Sequence, residues 1–170
     1  IDKIMVLSEY MKKQYQDQYN LPDELYYVTR NGIDLELITT LDSVPKDPKK
    51  LICGARSERG IDNLVNGIMP KLWAKDPSLK LYLARYDNKV EHLAAHDAQI
   101  DEAIRQSQGK IVMLGSLTKR ELYKHYKDAM LYVYPTPAKI GEQFREVSCI
   151  SAMEAMACGT PVITSNKGAL

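Results

Sequence analysis

Two glutamates, Glu146 and Glu154, are separated by seven residues in a stretch that predicts a strand, a loop, a helix and a second strand. Eight helical steps of about 100° each bring the second side chain to within roughly 80° of the first, about two turns further along the axis. Two carboxylates placed in this way can flank one ligand. Because ionised glutamate only accepts hydrogen bonds and sugar hydroxyls donate them, the pair is typical of a site for a hydroxylated ligand.

The helix near these glutamates is predicted over residues 148–158. Its apolar residues recur at helical spacing, Ser148 is placed as an N-cap, and Gly159 follows where a left-handed C-terminal cap belongs. The unpaired N–H groups of the first turn, near Ser148, Cys149 and Ile150, favour an anion such as a diphosphate. A nucleotide-sugar, with its ribose, diphosphate and hexose, matches this layout. The alternative is that the two glutamates form only the solvated face of an amphipathic helix.

A second candidate site follows the strand predicted at residues 51–53. The loop after this strand contains Gly54, Arg56 and Arg59, and Gly60 precedes a predicted helix. Doubly wound folds hold phosphate in such a loop, because glycine lets the backbone approach and the helix start is electropositive. Guanidinium groups add several donors suited to oxyanions. The loop is neither a Walker A nor a GxGxxG sequence, so by itself it is also compatible with solvated arginines.

The string EAMACGTPV, which begins at Glu154, and the glutamate eight positions before it resemble the C-terminal signature of retaining GT-B glycosyltransferases of the group 1 family. In that family the first glutamate contacts the donor hexose and the second the nucleotide ribose, so the resemblance implies these roles for Glu146 and Glu154. The usual Gly-Phe-Gly after the first glutamate is replaced by Val147-Ser148-Cys149. Glu142 offers an earlier start of the pattern and ranks below Glu146 on spacing.

Other segments also resemble this family. Asn31-Gly32-Ile33-Asp34 resembles the turn that opens its C-terminal domain. Arg59 matches a lysine that holds the donor diphosphate, whereas Arg56 matches less closely because the loop is one residue shorter. The resemblance implies catalytic roles for Glu146, Arg59 and Arg56, and donor binding by Gly54, Ser116, Leu117, Ser148, Cys149, Ile150, Glu154 and Gly168.

Metal chemistry has weak support in the sequence. His92 and His96 are four residues apart and could share a helix face toward zinc, but no glutamate lies between them as in HExxH, so a solvated face is the better interpretation. His125 has no assignable role. No DxD-like site is visible, and we expect no metal, no cofactor and catalysis without an obligatory divalent ion.

Composition excludes several classes of protein. The 170 residues make one domain, and a net charge of +1 gives no electrostatic case for nucleic acid or an anionic membrane. Three cysteines at positions 53, 149 and 158 match no disulfide framework, which favours a reducing, cytoplasmic setting. No apolar run approaches the roughly 20 residues of a membrane span, and no signal peptide is visible. Without an initial Met, the chain reads as a piece of a longer one.

Strands predicted near residues 51, 79, 111, 131 and 161 alternate with helices. This alternation predicts an α/β fold, a doubly wound, Rossmann-like parallel sheet with helices on both faces. By resemblance it is one half of a GT-B architecture. Residues 1–45 form an N-terminal segment of strand, helix, Asn-Gly turn and linker, residues 46–170 form the nucleotide-sugar-binding domain, and the acceptor-binding N-terminal domain is absent.

The first hypothesis is therefore the donor domain of a retaining hexosyltransferase. Its partners would be a nucleotide-sugar donor and an unknown glycan, lipid or protein acceptor, with peripheral membrane attachment left open for a longer chain. Alone, this fragment should bind donor and turn over little. Two alternatives are a non-catalytic doubly wound module that binds a nucleotide or a protein partner, and a GT-B sugar-nucleotide epimerase.

Overall fold

The computed structural model describes residues 2–85, 91–136 and 144–170. Its strands are β1 Ile4–Val6, β2 Tyr26–Val28, β3 Asp47–Gly54, β4 Lys80–Ala84, β5 Ile111–Met113, β6 Ala129–Tyr134 and β7 Val162–Thr164. Its α-helices are α1 Glu9–Tyr19, α2 Leu35–Thr39, α3 Ile61–Asn63, α4 Met69–Trp73, α5 Ala94–Gln106, α6 Lys119–Asp128 and α7 Ile150–Ala157. A π-helical segment, Leu64–Ile68, joins α3 to α4, and 3₁₀ turns cover Asp23–Leu25, Ser57–Arg59 and Glu91–Leu93.

Five strands form one parallel sheet in the order β5-β4-β3-β6-β7, and helices pack around it. The predicted doubly wound α/β fold is confirmed. The chain builds outward from β3 to β5 and then crosses back to place β6 on the other side of β3. A sheet with this order has its topological switch point between β3 and β6, and ligands bind beyond the carboxyl ends of those two strands.

The core lies on and around the central strands. Leu51, Ile52 and Cys53 are buried in succession in β3, as expected of a parallel strand that is covered on both faces. Leu81 and Leu83 of β4 are also fully buried. Burial of these apolar side chains holds the sheet and its loops in place.

The N-terminal segment forms a small sheet of its own. β1 and β2 pair in parallel, and Ser8 is the N-cap of α1, with its side chain accepting a hydrogen bond from Met11 N. Beside the Asn31-Gly32 dipeptide, the residue with a left-handed backbone is Arg30, with φ of 63°.

Two predicted boundaries were wrong. β3 begins at Asp47, four residues before the strand predicted at residues 51–53, because Asp47 pairs with Ala129 before the register shifts toward Leu51. The N-cap of α7 is Cys149 rather than Ser148, and no side chain caps this helix. Gly159 has the predicted left-handed conformation, with φ of 76°.

A buried lysine makes several polar contacts near the amino edge of the sheet. Lys50 in β3 is only 3% exposed, and its ammonium group lies 2.5 Å from Asp128 Oδ1 and 2.8 Å from His125 Nδ1. The same group lies over the ring of Tyr82, 4.5 Å from its centre. The sequence alone suggested no role for His125. In the structure it helps to link β3 to α6. Within the described segments, no helix is long and apolar enough to cross a bilayer.

Candidate functional site

A cavity of about 480 Å³ lies at the carboxyl ends of β3 and β6, where the strand order places the switch point. It is lined by loops that are far apart in the sequence. Every predicted site residue except Gly168 lines it: Gly54, Arg56, Arg59, Ser116, Leu117, Glu146, Ser148, Cys149, Ile150 and Glu154.

Glu146 is buried at this cavity, with 5% of its surface exposed. Its Oε2 accepts hydrogen bonds from Arg59 Nη1 at 3.0 Å and from the Tyr134 hydroxyl at 2.8 Å. Its Oε1 accepts from the backbone N–H groups of Val147 at 3.1 Å and Ser148 at 3.3 Å. The four bonds fill the usual acceptor capacity of a carboxylate. The alternative that Glu146 belongs only to a solvated helix face is therefore wrong.

Arg59 is held from three sides. Besides its ion pair with Glu146 and a 3.3 Å hydrogen bond to the Tyr134 hydroxyl, its guanidinium lies over the Phe144 ring, 4.0 Å from the ring centre. A cation stacked on an aromatic face and bonded at its edge has little freedom. The arrangement presents a fixed positive group at the cavity wall.

Glu154, on α7, is also buried, with 3% of its surface exposed. Its Oε1 accepts hydrogen bonds from Lys119 Nζ at 2.5 Å and from the Tyr123 hydroxyl at 2.8 Å. Its Oε2 accepts none from the residues that the structure describes. One oxygen of this carboxylate is therefore available to a ligand in the cavity, and the solvated-face alternative is wrong here too.

The remaining predicted residues have weaker or different attachments. Arg56 lines the cavity, but it pairs with Glu58 at 2.8 Å and half of its side chain is exposed. Gly168 packs on the backbone of Glu146: a Cβ added to it would lie 2.4 Å from Glu146 O, and Ala169 N donates to the same oxygen at 2.7 Å. Glycine is needed at position 168 to let the chain pass Glu146 closely.

Sequence reasoning missed four side chains of this site: Tyr134, Tyr123, Lys119 and Phe144. Each contacts a residue of the predicted site, and Tyr134 and Lys119 line the cavity. Lys119 and Tyr123 are four apart on α6, which would have indicated a shared face, but nothing indicated that this face meets Glu154. Glu142, the alternative start of the glutamate pattern, lies outside the described residues.

His96 also differs from its predicted place on a solvated face. It is buried in α5, and its Nε2 lies 3.1 Å from the carbonyl oxygen of Ser57 in the arginine loop. This contact supports the backbone between Arg56 and Arg59. The side chain of His92 lies outside what the structure describes, and no group of three or more potential metal ligands occurs among the described residues.

Burial changes the acidity of the hydroxyl and thiol groups around the cavity. Burial and then the hydrogen bond to Glu154 raise the pKa of Tyr123 above its usual range. Burial is also the main reason why the pKa of Tyr134 is raised. Both phenols therefore stay protonated and donate to their glutamates. Burial likewise raises the pKa of the Cys149 thiol, which keeps that group neutral at the start of α7.

The sequence profile of the family "Glycosyl transferases group 1" matches residues 48–170, which include both glutamates and all of the five-stranded sheet except the first residue of β3. The chain belongs to this family. An uncharacterized glycosyltransferase of Methanocaldococcus jannaschii is 29% identical over 182 residues, covering 99% of this chain and 43% of that protein. The chain thus spans less than half the length of that relative.

Several solved structures share the fold. A glycosyltransferase from Rickettsia africae superimposes with a TM-score of 0.79 at 16% identity, covering 99% of this chain and 45% of that one. HepE from Anabaena, solved with UDP and glucose, gives 0.74 at 14% identity, with 99% and 45% covered. TarM from S. aureus, solved with UDP and other ligands, gives 0.73 at 17% identity, with 98% and 30% covered. This group 1 glycosyltransferase domain therefore has GT-B structural neighbours.

Proposed function

We propose that this chain is the donor-binding half of a hexosyltransferase that binds a nucleotide-diphosphate sugar and transfers its glycosyl group with retention of configuration. The observation that carries the proposal is the convergence of Glu146, Arg59 and Glu154 on one cavity of about 480 Å³. This volume lies within the usual range for small-molecule sites. The Anabaena and S. aureus proteins were solved with UDP, which supports a nucleotide ligand for a chain of this fold.

The free oxygen of Glu154 is suited to a ribose hydroxyl, and Arg59 to the diphosphate. Glu146 has no spare acceptor position, so a hexose hydroxyl must replace one of its four hydrogen-bond donors. A diphosphate that draws Arg59 toward itself vacates one position on Oε2. Binding of the diphosphate thereby prepares Glu146 for the sugar.

We infer that transfer needs no obligatory divalent ion. Negative charge grows on the leaving diphosphate, and Arg59 together with the start of α7 is placed to offset it. EDTA should therefore leave nucleotide affinity and transfer unchanged. A loss of either that is restored by Mg²⁺ or Mn²⁺ would contradict this.

A cytoplasmic setting is part of the proposal and is supported by three free, buried cysteines. The acceptor is a glycan, a lipid or a protein, and nucleic acid is not among the proposed partners because the net charge is only +1. Retention is tested by NMR of the transferred sugar with the full-length protein. An inverted anomer in the first product formed would rule it out.

Calorimetric titration with UDP, GDP and ADP tests the donor site. We expect at least one nucleotide to bind, and Glu154→Ala to weaken it by about tenfold or more, since it removes a charged hydrogen-bond acceptor. Glu102→Ala is the matched control, because Glu102 is a partly exposed glutamate of α5 that pairs with Arg105 and Gln106 and lies away from the cavity. No binding, or indifference to Glu154→Ala, favours a non-catalytic module. Turnover of a nucleotide-sugar without an acceptor favours an epimerase.

A further inference from the structure

The two glutamates are held in the same way. One oxygen of each accepts from a cation and from a buried tyrosine hydroxyl: Arg59 and Tyr134 on Glu146, Lys119 and Tyr123 on Glu154. The cations are partly exposed to the cavity, with 56% of the Lys119 side chain accessible. The tyrosines are almost fully buried. A ligand can therefore displace the cations, whereas the tyrosines stay in place.

A row of aromatic rings joins these two tyrosines. Tyr123 stacks on Tyr126 with ring centres 6.4 Å apart, Tyr126 meets Tyr132 edge-on at 5.5 Å, and Tyr132 stacks on Tyr134 at 6.3 Å. The four rings come from α6 and β6 and are all buried. Packed rings at these separations are mutually stabilising, and a tyrosine has few side-chain torsions to restrict. The row therefore fixes the distance between one glutamate and the other.

The same row contacts the floor of the cavity. The Tyr132 hydroxyl lies 3.0 Å from the carbonyl oxygen of Gly54 and 2.8 Å from the Ser151 hydroxyl. A Cβ added to Gly54 would lie 2.7 Å from the Tyr126 hydroxyl oxygen, so the strand end rests directly on the row. β3, β6 and α7, which carry the site, thus share one rigid support.

The Tyr134 hydroxyl has a further property that packing alone does not require. It accepts from Arg59 and donates to Glu146, so a single oxygen fixes both groups. A phenylalanine would fill the same space and fix neither. The Tyr123 hydroxyl donates to Glu154 Oε1, which also accepts from Lys119, so it fixes the carboxylate and not the cation. Buried hydroxyl groups are costly unless they are paired, which indicates that these two serve the carboxylates.

We propose that Tyr134 and Tyr123 are positioning residues of the donor site. Tyr134 orients Arg59 and Glu146 for the diphosphate and the hexose, Tyr123 orients Glu154 for the ribose, and the ring row sets the spacing between them. This inference rests on the proposed function. It assigns the ribose end of the ligand to Tyr123, and the diphosphate and hexose end to Tyr134.

Titration of UMP, UDP and UDP-glucose into single Tyr→Phe variants tests this division. Tyr123→Phe should weaken all three ligands by the same factor, about three- to tenfold, because each contains the ribose. Tyr134→Phe should leave UMP within about twofold and weaken UDP and UDP-glucose by about three- to tenfold, because only these carry the diphosphate. A general loss of packing would weaken every ligand alike in both variants.

Tyr26→Phe is the control. Tyr26 is buried in β2, and its hydroxyl has no hydrogen-bond partner among the described residues, so all three affinities should stay unchanged. The inference is overturned if Tyr134→Phe weakens UMP as much as UDP-glucose, or if neither tyrosine variant changes any affinity. Should Tyr134→Phe fail to fold, Glu146→Gln alters the same hydrogen bond from its other side and must show the same separation of UMP from UDP-glucose.

The failure of the proposed function is a separate outcome. If the wild-type chain binds no uridine, guanosine or adenosine diphosphate, the donor site itself is wrong. If it prefers guanosine or adenosine, the series is repeated with that base. If the wild type binds and the two variants do not divide the ligand set, only the positioning roles are wrong.

Discussion

Arg56 and Arg59 lie in one loop and line one cavity, yet different partners hold them. Arg59 is fixed by Glu146, Tyr134 and the ring of Phe144. Among the residues that the structure describes, Arg56 pairs only with Glu58, from its own loop, and it remains half exposed. An exposed pair of this kind contributes little and leaves a long side chain free to move. The two arginines should therefore differ in their effect on an anionic ligand.

We expect Arg59→Ala to weaken UDP binding by about tenfold or more, the effect of losing a charged hydrogen bond, and Arg56→Ala to change it by less than about threefold. Calorimetry on both variants makes the comparison, with each serving as the control for the other. Equal losses would show that the loop acts as a diffuse positive patch, without a single placed guanidinium.

At the scale of elements, the loop after β3 is pressed against the loop after β6. Gly60 has φ of 92°, and a Cβ there would lie 2.4 Å from the carbonyl oxygen of Pro135. Position 60 therefore needs glycine for its conformation and for the close approach of two backbones. Because Arg59 precedes Gly60, this contact also sets where the guanidinium meets Glu146.

Gly60→Ala should cost stability and displace Arg59. Gly109→Ala is the matched control, since Gly109 has φ of 83° but nothing within 4 Å of an added Cβ. Left-handed alanine costs roughly 1–2 kcal/mol in both variants. Overpacking should add about 1–3 kcal/mol at Gly60 alone. Urea unfolding measures the difference, and UDP affinity should fall only in Gly60→Ala; equal stability losses would show that the two loops yield easily.

At the scale of the whole molecule, the two edges of the sheet carry different features. The cavity occupies the carboxyl edge, and the Lys50, His125 and Asp128 cluster joins β3 to α6 near the amino edge. Burial, and then the Lys50 ammonium group, lower the pKa of His125 below its ordinary value of 6.5. Asp128 and Glu121 face it from α6 and oppose that shift more weakly, and Tyr82 packs against its ring.

The sign of the resulting pH dependence follows from proton linkage. As the pH falls below about 6.5, the unfolded chain binds a proton at His125 before the folded one does, so stability is lost progressively. His125→Asn keeps an acceptor for Lys50 and removes this titration. The drop in melting temperature between about pH 7.5 and about pH 5 should therefore be smaller in the variant than in the wild type. Identical drops would mean that His125 does not contribute.

Much of the site could be predicted because its signals are local. The eight-residue step from Glu146 to Glu154, the glycine before the helix at 61 and the left-handed Gly159 all depend on backbone geometry within a few residues. The strand that begins at Asp47 could not be read in the same way, because a pairing with Ala129 extends it through proline and lysine.

The sequence by itself determined the α/β alternation, the family pattern and the two carboxylates of the candidate site. Tertiary structure alone decided which side chains contact each carboxylate. Tyr134 and Arg59 are 75 residues apart, and Lys119 and Glu154 are 35 apart, so these contacts exist only because β6 lies beside β3 and α6 packs against α7. Side-chain periodicity reports which face of an element is buried, but the strand order of the sheet decides which other element covers that face.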